Sequence, residues 1–217
     1  MTTHFGIKLR NREGGFKLTV DNYVKMSDKD TATLSEELKL KSEKVMTRFD
    51  LNMRYFKSLA WDKFNEELSK FVTSNNFYEI NDLNYVEDIA GHYVMVLDEY
   101  CQIYIGTSSR GHGIKGRIPQ HWRKQISLDQ LRGEDSGSLA IGSFRPLDTT
   151  RIFVCPDDEY NFFEDYTLNE CFEGRLVAKF PVDYCSNQSM VHIPKEYFFE
   201  RLRERDLRDL KVYTKSH

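Results

Sequence analysis

The stretch that most constrains the fold is residues 91–106, GHYVMVLDEYCQIYIG. Successive side chains of a strand point to opposite faces, so HYVMVL puts Tyr93, Met95 and Leu97 on one side and His92, Val94 and Val96 on the other. DEYC turns the chain, and QIYIG returns it with Gln102, Tyr104 and Gly106 on one face. The pattern predicts an antiparallel pair whose two tyrosines share a surface. TRIFVC, at 150–155, is a short β-rich run and a natural third strand.

The other elements follow helical spacing. Thr33 with Glu36 resembles a capping box, after which Leu34, Leu38, Val45 and Phe49 recur at near-helical intervals. A second stripe comprises Phe56, Ala60, Phe64, Leu68 and Phe71. Further on, QHWRKQISLDQLR reads as the best-formed part of a basic helical segment. Leu168, Phe172, Leu176 and Phe180 step by four toward a stop at Pro181, and a last helix starts at Pro194. Ahead of all these, HFGIKL and FKLTV flank a Gly-Gly turn, the signature of a small hairpin. The expected class is α+β: a small mixed or antiparallel three-stranded sheet flanked by helices and preceded by an N-terminal helical region. Turn residues around Asn81 divide the chain into 1–85 (hairpin plus helical arm), 86–190 (the sheet-bearing domain) and 191–217 (a C-terminal helix).

Composition limits the functional classes. With 217 residues and 30% charged residues the chain has material for a real core, and no apolar run approaches the roughly 20 residues that span a bilayer. The N-terminus lacks the apolar segment of a signal peptide. Cys101, Cys155, Cys171 and Cys185 form no C-x-x-C pair, which fits packed thiols in a reducing, cytoplasmic compartment. A net charge of -3 gives no global attraction to nucleic acid, so such a role needs a local patch. Residues 108–132 supply one: Arg110, Lys115, Arg117, Arg123, Lys124 and Arg132 against Asp129 alone.

These residues resemble the GIY-YIG nuclease superfamily. The first half-motif stands here as Gly91-His92-Tyr93 and the second as Tyr104-Ile105-Gly106, with the tyrosines eleven positions apart. Arg117 follows Ile114 by three, and His121 follows Arg117 by four, as in members with an R-x-x-x-H variant. Glu173 precedes Leu176, Val177 and Pro181 and best matches the family's metal-binding acid; Glu170 competes one turn earlier. Asn187 stands two residues late for the family's terminal asparagine. The likeness spans about residues 90–187 and leaves 1–85 unaddressed. His92 replaces the usual aliphatic residue and is expected to face away from the site toward a polar neighbour. Pro119 falls between Arg117 and His121, so a helix there starts at Pro119 or bends at it.

The resemblance implies a divalent-metal-dependent DNA endonuclease. Tyr93 would activate the attacking water, Tyr104 would orient water or phosphate, and His121 would accept the tyrosine proton. Arg117 would hold the scissile phosphate with its planar fork of donors, and Glu173 would bind Mg²⁺ or Mn²⁺. Arg110, Lys115, Arg123, Lys124 and Asn187 would contact double-stranded DNA, and the N-terminal arm would grip DNA or a second subunit in a homodimer. A restriction-type enzyme is preferred on size, with homing, repair and mobile-element nucleases as rivals. A non-catalytic DNA- or protein-binding module, and an RNA-directed nuclease, are the readings from other classes.

Overall fold

The structure is a computed structural model that describes residues 2–10, 15–23, 36–109, 111–123, 141–156 and 166–187. In chain order the elements are β1 (Thr3–His4), β2 (Ile7–Lys8), α1 (Val20–Tyr23), α2 (Glu36–Ser58), α3 (Trp61–Ser74), β3 (Tyr78–Ile80), β4 (Gly91–Leu97), β5 (Gln102–Ser108), α4 (Gly113–Arg123), β6 (Arg151–Pro156) and α5 (Tyr166–Lys179). The class is α+β. The proposed capping residue Thr33 and the C-terminal helix from Pro194 lie outside the described residues.

β4 and β5 form the expected antiparallel pair, with Tyr93 opposite Gly106 and Met95 opposite Tyr104. The turn between them is a 3-10 segment, Asp98–Tyr100, closed by Cys101 in the left-handed conformation. β6 pairs with the other edge of β4. The sheet has four strands, not three: β3 adds antiparallel to β6, giving the order β3-β6-β4-β5. β3 escapes sequence reading because it is three residues long, with Tyr78 and Glu79 exposed, so it offers no alternation.

Each face of this sheet has its own cover. Val94, Val96, Ile103, Ile105 and Phe153 point toward α3 and α5, which contribute Phe64, Leu68, Phe71, Leu176, Val177 and Phe180 to one apolar cluster. Burying such side chains is worth roughly 1.5–3 kcal/mol each, so this layer carries much of the fold's stability. The opposite face, with Tyr93, Met95, Ile152 and Val154, is covered by Ile114, Ile118 and Trp122 of α4 together with Leu83 and Val86. α2 packs Phe49, Tyr55 and Phe56 around Leu97 and Tyr100 at the end of the β4–β5 hairpin. The expected Phe56-to-Phe71 stripe is therefore shared by two helices that meet at Leu59 and Ala60.

The small hairpin also differs from expectation. The described hairpin turns at Phe5 and Gly6, both at positive φ (45° and 74°), within HFGIKL, while residues 11–14, and with them the first glycine of the expected Gly-Gly turn, lie outside the described residues. A two-residue loop with both central residues at positive φ matches the twist of short strands, which is why the reversal sits there. At the other edge of the sheet, β5 is closed by residues 185–187. The Ser186 amide donates to the Ile103 carbonyl at 2.8 Å, and the Asn187 side chain accepts from Ile105 N at 3.0 Å while donating to its carbonyl at 2.7 Å. The edge of a sheet left unpaired is open to foreign strands, and this segment occupies it.

One buried acid ties the periphery together. Asp148 accepts from the amides of Leu18 (3.0 Å) and Arg145 (2.6 Å) and from the Tyr100 hydroxyl (3.0 Å). Burial raises its pKa, and these donors offset the cost of desolvating a carboxylate. All four cysteines are free, Cys101 and Cys185 buried and the other two half-buried.

Candidate active site

Tyr93 is fully buried on the α4 face of β4, and Gly106 explains how its ring fits. A Cβ placed on Gly106 would lie 2.4 Å from both Cζ and Oη of Tyr93. The glycine of the Tyr-Ile-Gly sequence therefore makes the space that the tyrosine of the preceding strand fills. Gly91, two residues before Tyr93, has φ of 149°, a conformation that side-chain-bearing residues rarely adopt.

Four of the expected residues meet here. The Tyr93 hydroxyl lies 2.7 Å from His121 Nε2 in a buried hydrogen bond. The Tyr104 ring is 4.9 Å from the His121 ring and 6.4 Å from that of Tyr93, centroid to centroid. Arg117, half-buried one turn before His121, lies close enough for its positive charge to favour ionisation of the Tyr93 phenol. Donation from that phenol to His121 Nε2 requires the His121 tautomer protonated at Nδ1.

Glu173 of α5 is half-buried and close enough for its charge to oppose ionisation of Tyr93. Burial is the largest influence on the phenol and pushes its pKa well above the ordinary 10; Tyr104 and Glu173 push the same way, and Arg117 pulls against them. Burial wins, so Tyr93 is a neutral hydroxyl poised to relay a proton and not a standing phenolate.

α4 runs from Gly113 through Pro119 to Arg123, so the helix does not start at Pro119; residues 124–132 of the expected basic helical segment lie outside the described residues. The ring costs one backbone hydrogen bond within the helix. The helix is anchored beside His121 by Trp122, whose indole N–H donates to Thr149 Oγ1 at 3.0 Å. The Thr149 carbonyl lies 2.8 Å from His4 Nε2, and the His4 ring packs near Trp122, so the β1–β2 hairpin braces the same helix end. Sequence reading missed these supports, because contacts across 27 residues for Trp122 to Thr149, and more than a hundred for those of His4, leave no local spacing. Gln120 was legible: it follows Arg117 by three, on the same helix face, and accepts from Arg117 Nη1 at 2.9 Å.

Of the remaining expected residues, Lys115 pairs with Glu87 on the surface at 2.5 Å. Asn187 is buried and its amide bonds both backbone groups of Ile105, shaping the β5 edge. Arg110 and Lys124 lie outside the described residues, as do the side chains of Arg123 and Glu170. His92 does face away from the tyrosines; the polar Thr107 stands opposite it on β5, though without a hydrogen bond, and the His92 ring stacks on Phe172 with centroids 5.7 Å apart and planes at 23°.

Among the described residues no group of three or more His, Cys, Asp or Glu side chains gathers to hold a metal. A hard divalent ion needs less: Mg²⁺ binds through one or two carboxylates while keeping waters and substrate phosphate, and Glu173 beside Tyr93 fits that donor set. No helix among the described residues is long and apolar enough to cross a membrane. Comparison of the chain with protein-family models, with curated proteins and with solved structures finds no match.

Proposed function

We propose that the protein is a divalent-metal-dependent endonuclease that hydrolyses phosphodiester bonds of double-stranded DNA, of the site-specific restriction type. The observation that carries this reading is the buried hydrogen bond between Tyr93 and His121, with the charges of Arg117 and Glu173 near enough to act on the same phenol. Hydrolysis of a phosphodiester needs a water relieved of its proton and neutralisation of the charge gathering on phosphate oxygens.

The side chains divide that work. As water attacks phosphorus, its proton passes to the Tyr93 oxygen while the Tyr93 proton passes to His121 Nε2 along the 2.7 Å hydrogen bond. The concerted transfer suits a phenol whose pKa is too high for it to act as a free base. Arg117 keeps donors beyond the one given to Gln120, and its fork matches phosphate geometry. The half-buried Tyr104 flanks the relay and orients water or phosphate. Glu173 would hold Mg²⁺ or Mn²⁺, which when bound supplies positive charge to the phosphate oxygens.

One such site cuts one strand, so double-strand cleavage calls for two copies, and a homodimer is the assembly proposed. The basic run at 108–132 supplies the phosphate contacts that make binding fall steeply with salt. The test is incubation of wild type and Glu173→Ala with long unmethylated duplex DNA in Mg²⁺ or in EDTA. Discrete Mg²⁺-dependent fragments, lost in the variant while DNA binding survives, are expected. Absence of cleavage by wild type, or cleavage indifferent to EDTA, contradicts the proposal.

A further inference from the structure

We infer that His92 is a positioning residue: its stack on Phe172 registers the helix that carries Glu173 against the strand that carries Tyr93. The inference rests on the nuclease reading for its consequence in cleavage, but the contact itself is geometric. His92 and Tyr93 are consecutive on β4 and so project to opposite faces, as the two hydrophobic clusters attest. Phe172 and Glu173 are consecutive on α5. One ring contact, 5.7 Å between centroids and 23° between planes, thus joins the immediate neighbours of the two residues whose spacing matters.

Among the described side chains, the apolar anchors of α5 on the sheet, Leu176, Val177 and Phe180, all lie on the C-terminal side of Glu173. The stack of Phe172 on His92 is a described contact on the other side of Glu173, made by a ring that is 46% exposed.

Hydrogen bonding does not explain the imidazole. His92 is 6% exposed, and its Nδ1 is buried with no partner among the described residues; Thr107, opposite it on β5, has an equally unpartnered hydroxyl. A flat ring explains the residue better than a donor or an acceptor does, and Phe should replace it where Ala would not. Misplacement by about 1 Å of a group remote from the chemistry is enough to slow an enzyme on the order of a hundredfold.

The experiment compares wild type, His92→Phe, His92→Ala and Phe172→Ala by single-turnover cleavage of duplex DNA in Mg²⁺, by DNA affinity, and by hydrogen exchange of the α5 amides. His92→Phe is expected to cleave within about threefold of wild type, whereas His92→Ala and Phe172→Ala slow cleavage at least about tenfold with affinity within about twofold. In both alanine variants exchange around Glu173 accelerates about tenfold while β4 and β5 keep their protection. Wild-type cleavage rates in the alanine variants, or failure of His92→Phe to rescue, overturn the positioning role. Should His92→Ala not fold, Phe172→Ala decides, since it removes a half-exposed ring. If wild type cleaves nothing, the nuclease reading falls, and exchange alone decides: unchanged α5 protection in Phe172→Ala refutes the coupling, and a local loss upholds it.

Discussion

Alternate residues of β4 enter two unlike environments. Val94 and Val96 point into an all-apolar layer beneath α3 and α5, where area removed from water does the stabilising. Tyr93, between His92 and Val94, carries its hydroxyl to full burial beneath α4, where His121 satisfies it. The apolar layer is built to hold. The other face commits one glycine and one histidine to a single hydroxyl, with an arginine's charge near it, at a cost in stability that a purely structural face would not carry. The contrast separates the part of the sheet that folds the protein from the part proposed to work.

Substitutions on the two faces should therefore differ in kind. Phe64→Ala, in the apolar layer, should cost about 4 kcal/mol in denaturant-induced unfolding and leave cleavage per folded molecule unchanged. A loss below about 1 kcal/mol would mean that this layer is not the fold's main support. Gly106→Ala, on the other face, should cost about 3 kcal/mol, because its new methyl meets the Tyr93 ring. The diagnostic is its dependence on that ring: in a Tyr93→Ala background the penalty should largely vanish, and an additive double mutant would break the assignment.

A pH titration of stability probes the seam between the two faces. Burial lowers the His92 pKa from 6.5 to about 4. The unfolded chain then binds the extra proton between those values, so the stabilising contribution is complete above pH 6.5 and is lost as pH falls toward 4. Wild type should lose roughly 2 kcal/mol relative to His92→Phe between pH 7 and pH 5, and parallel curves would show His92 to be solvated. The smallest effect belongs to the α4 brace. Thr149→Val deletes the acceptor of the Trp122 indole and should cost about 1 kcal/mol, with faster amide exchange at the end of α4.

The parts of this molecule legible in its sequence are those whose partners lie close along the chain. The β4–β5 pair, its inward tyrosines and its small Gly106 follow from alternation and one tight turn, and the register Tyr93 opposite Gly106 is what that pattern requires. Helix periodicity found α3 and α5 but overextended: the Leu168-to-Phe180 rhythm treats Phe172 as core, whereas it is nearly half exposed and meets a histidine. β3 carries no periodic signal in three residues, and the two bonds that tie Asn187 to Ile105 have no counterpart in local spacing. Tertiary hydrogen bonds such as Trp122 to Thr149 leave no trace in local spacing.

Tyr93→Phe tests the central claim most directly, since it removes one oxygen atom and leaves the ring that Gly106 accommodates. Single-turnover cleavage of duplex DNA in Mg²⁺ and DNA affinity should be measured on the variant and on wild type at the same salt. The relay predicts retained fold and affinity with the cleavage rate down by at least about a hundredfold, since a proton-transfer group contributes on the order of 10² to 10⁴. Cleavage by Tyr93→Phe at the wild-type rate would contradict it, and Tyr93 would then be a core residue whose hydroxyl is merely well satisfied.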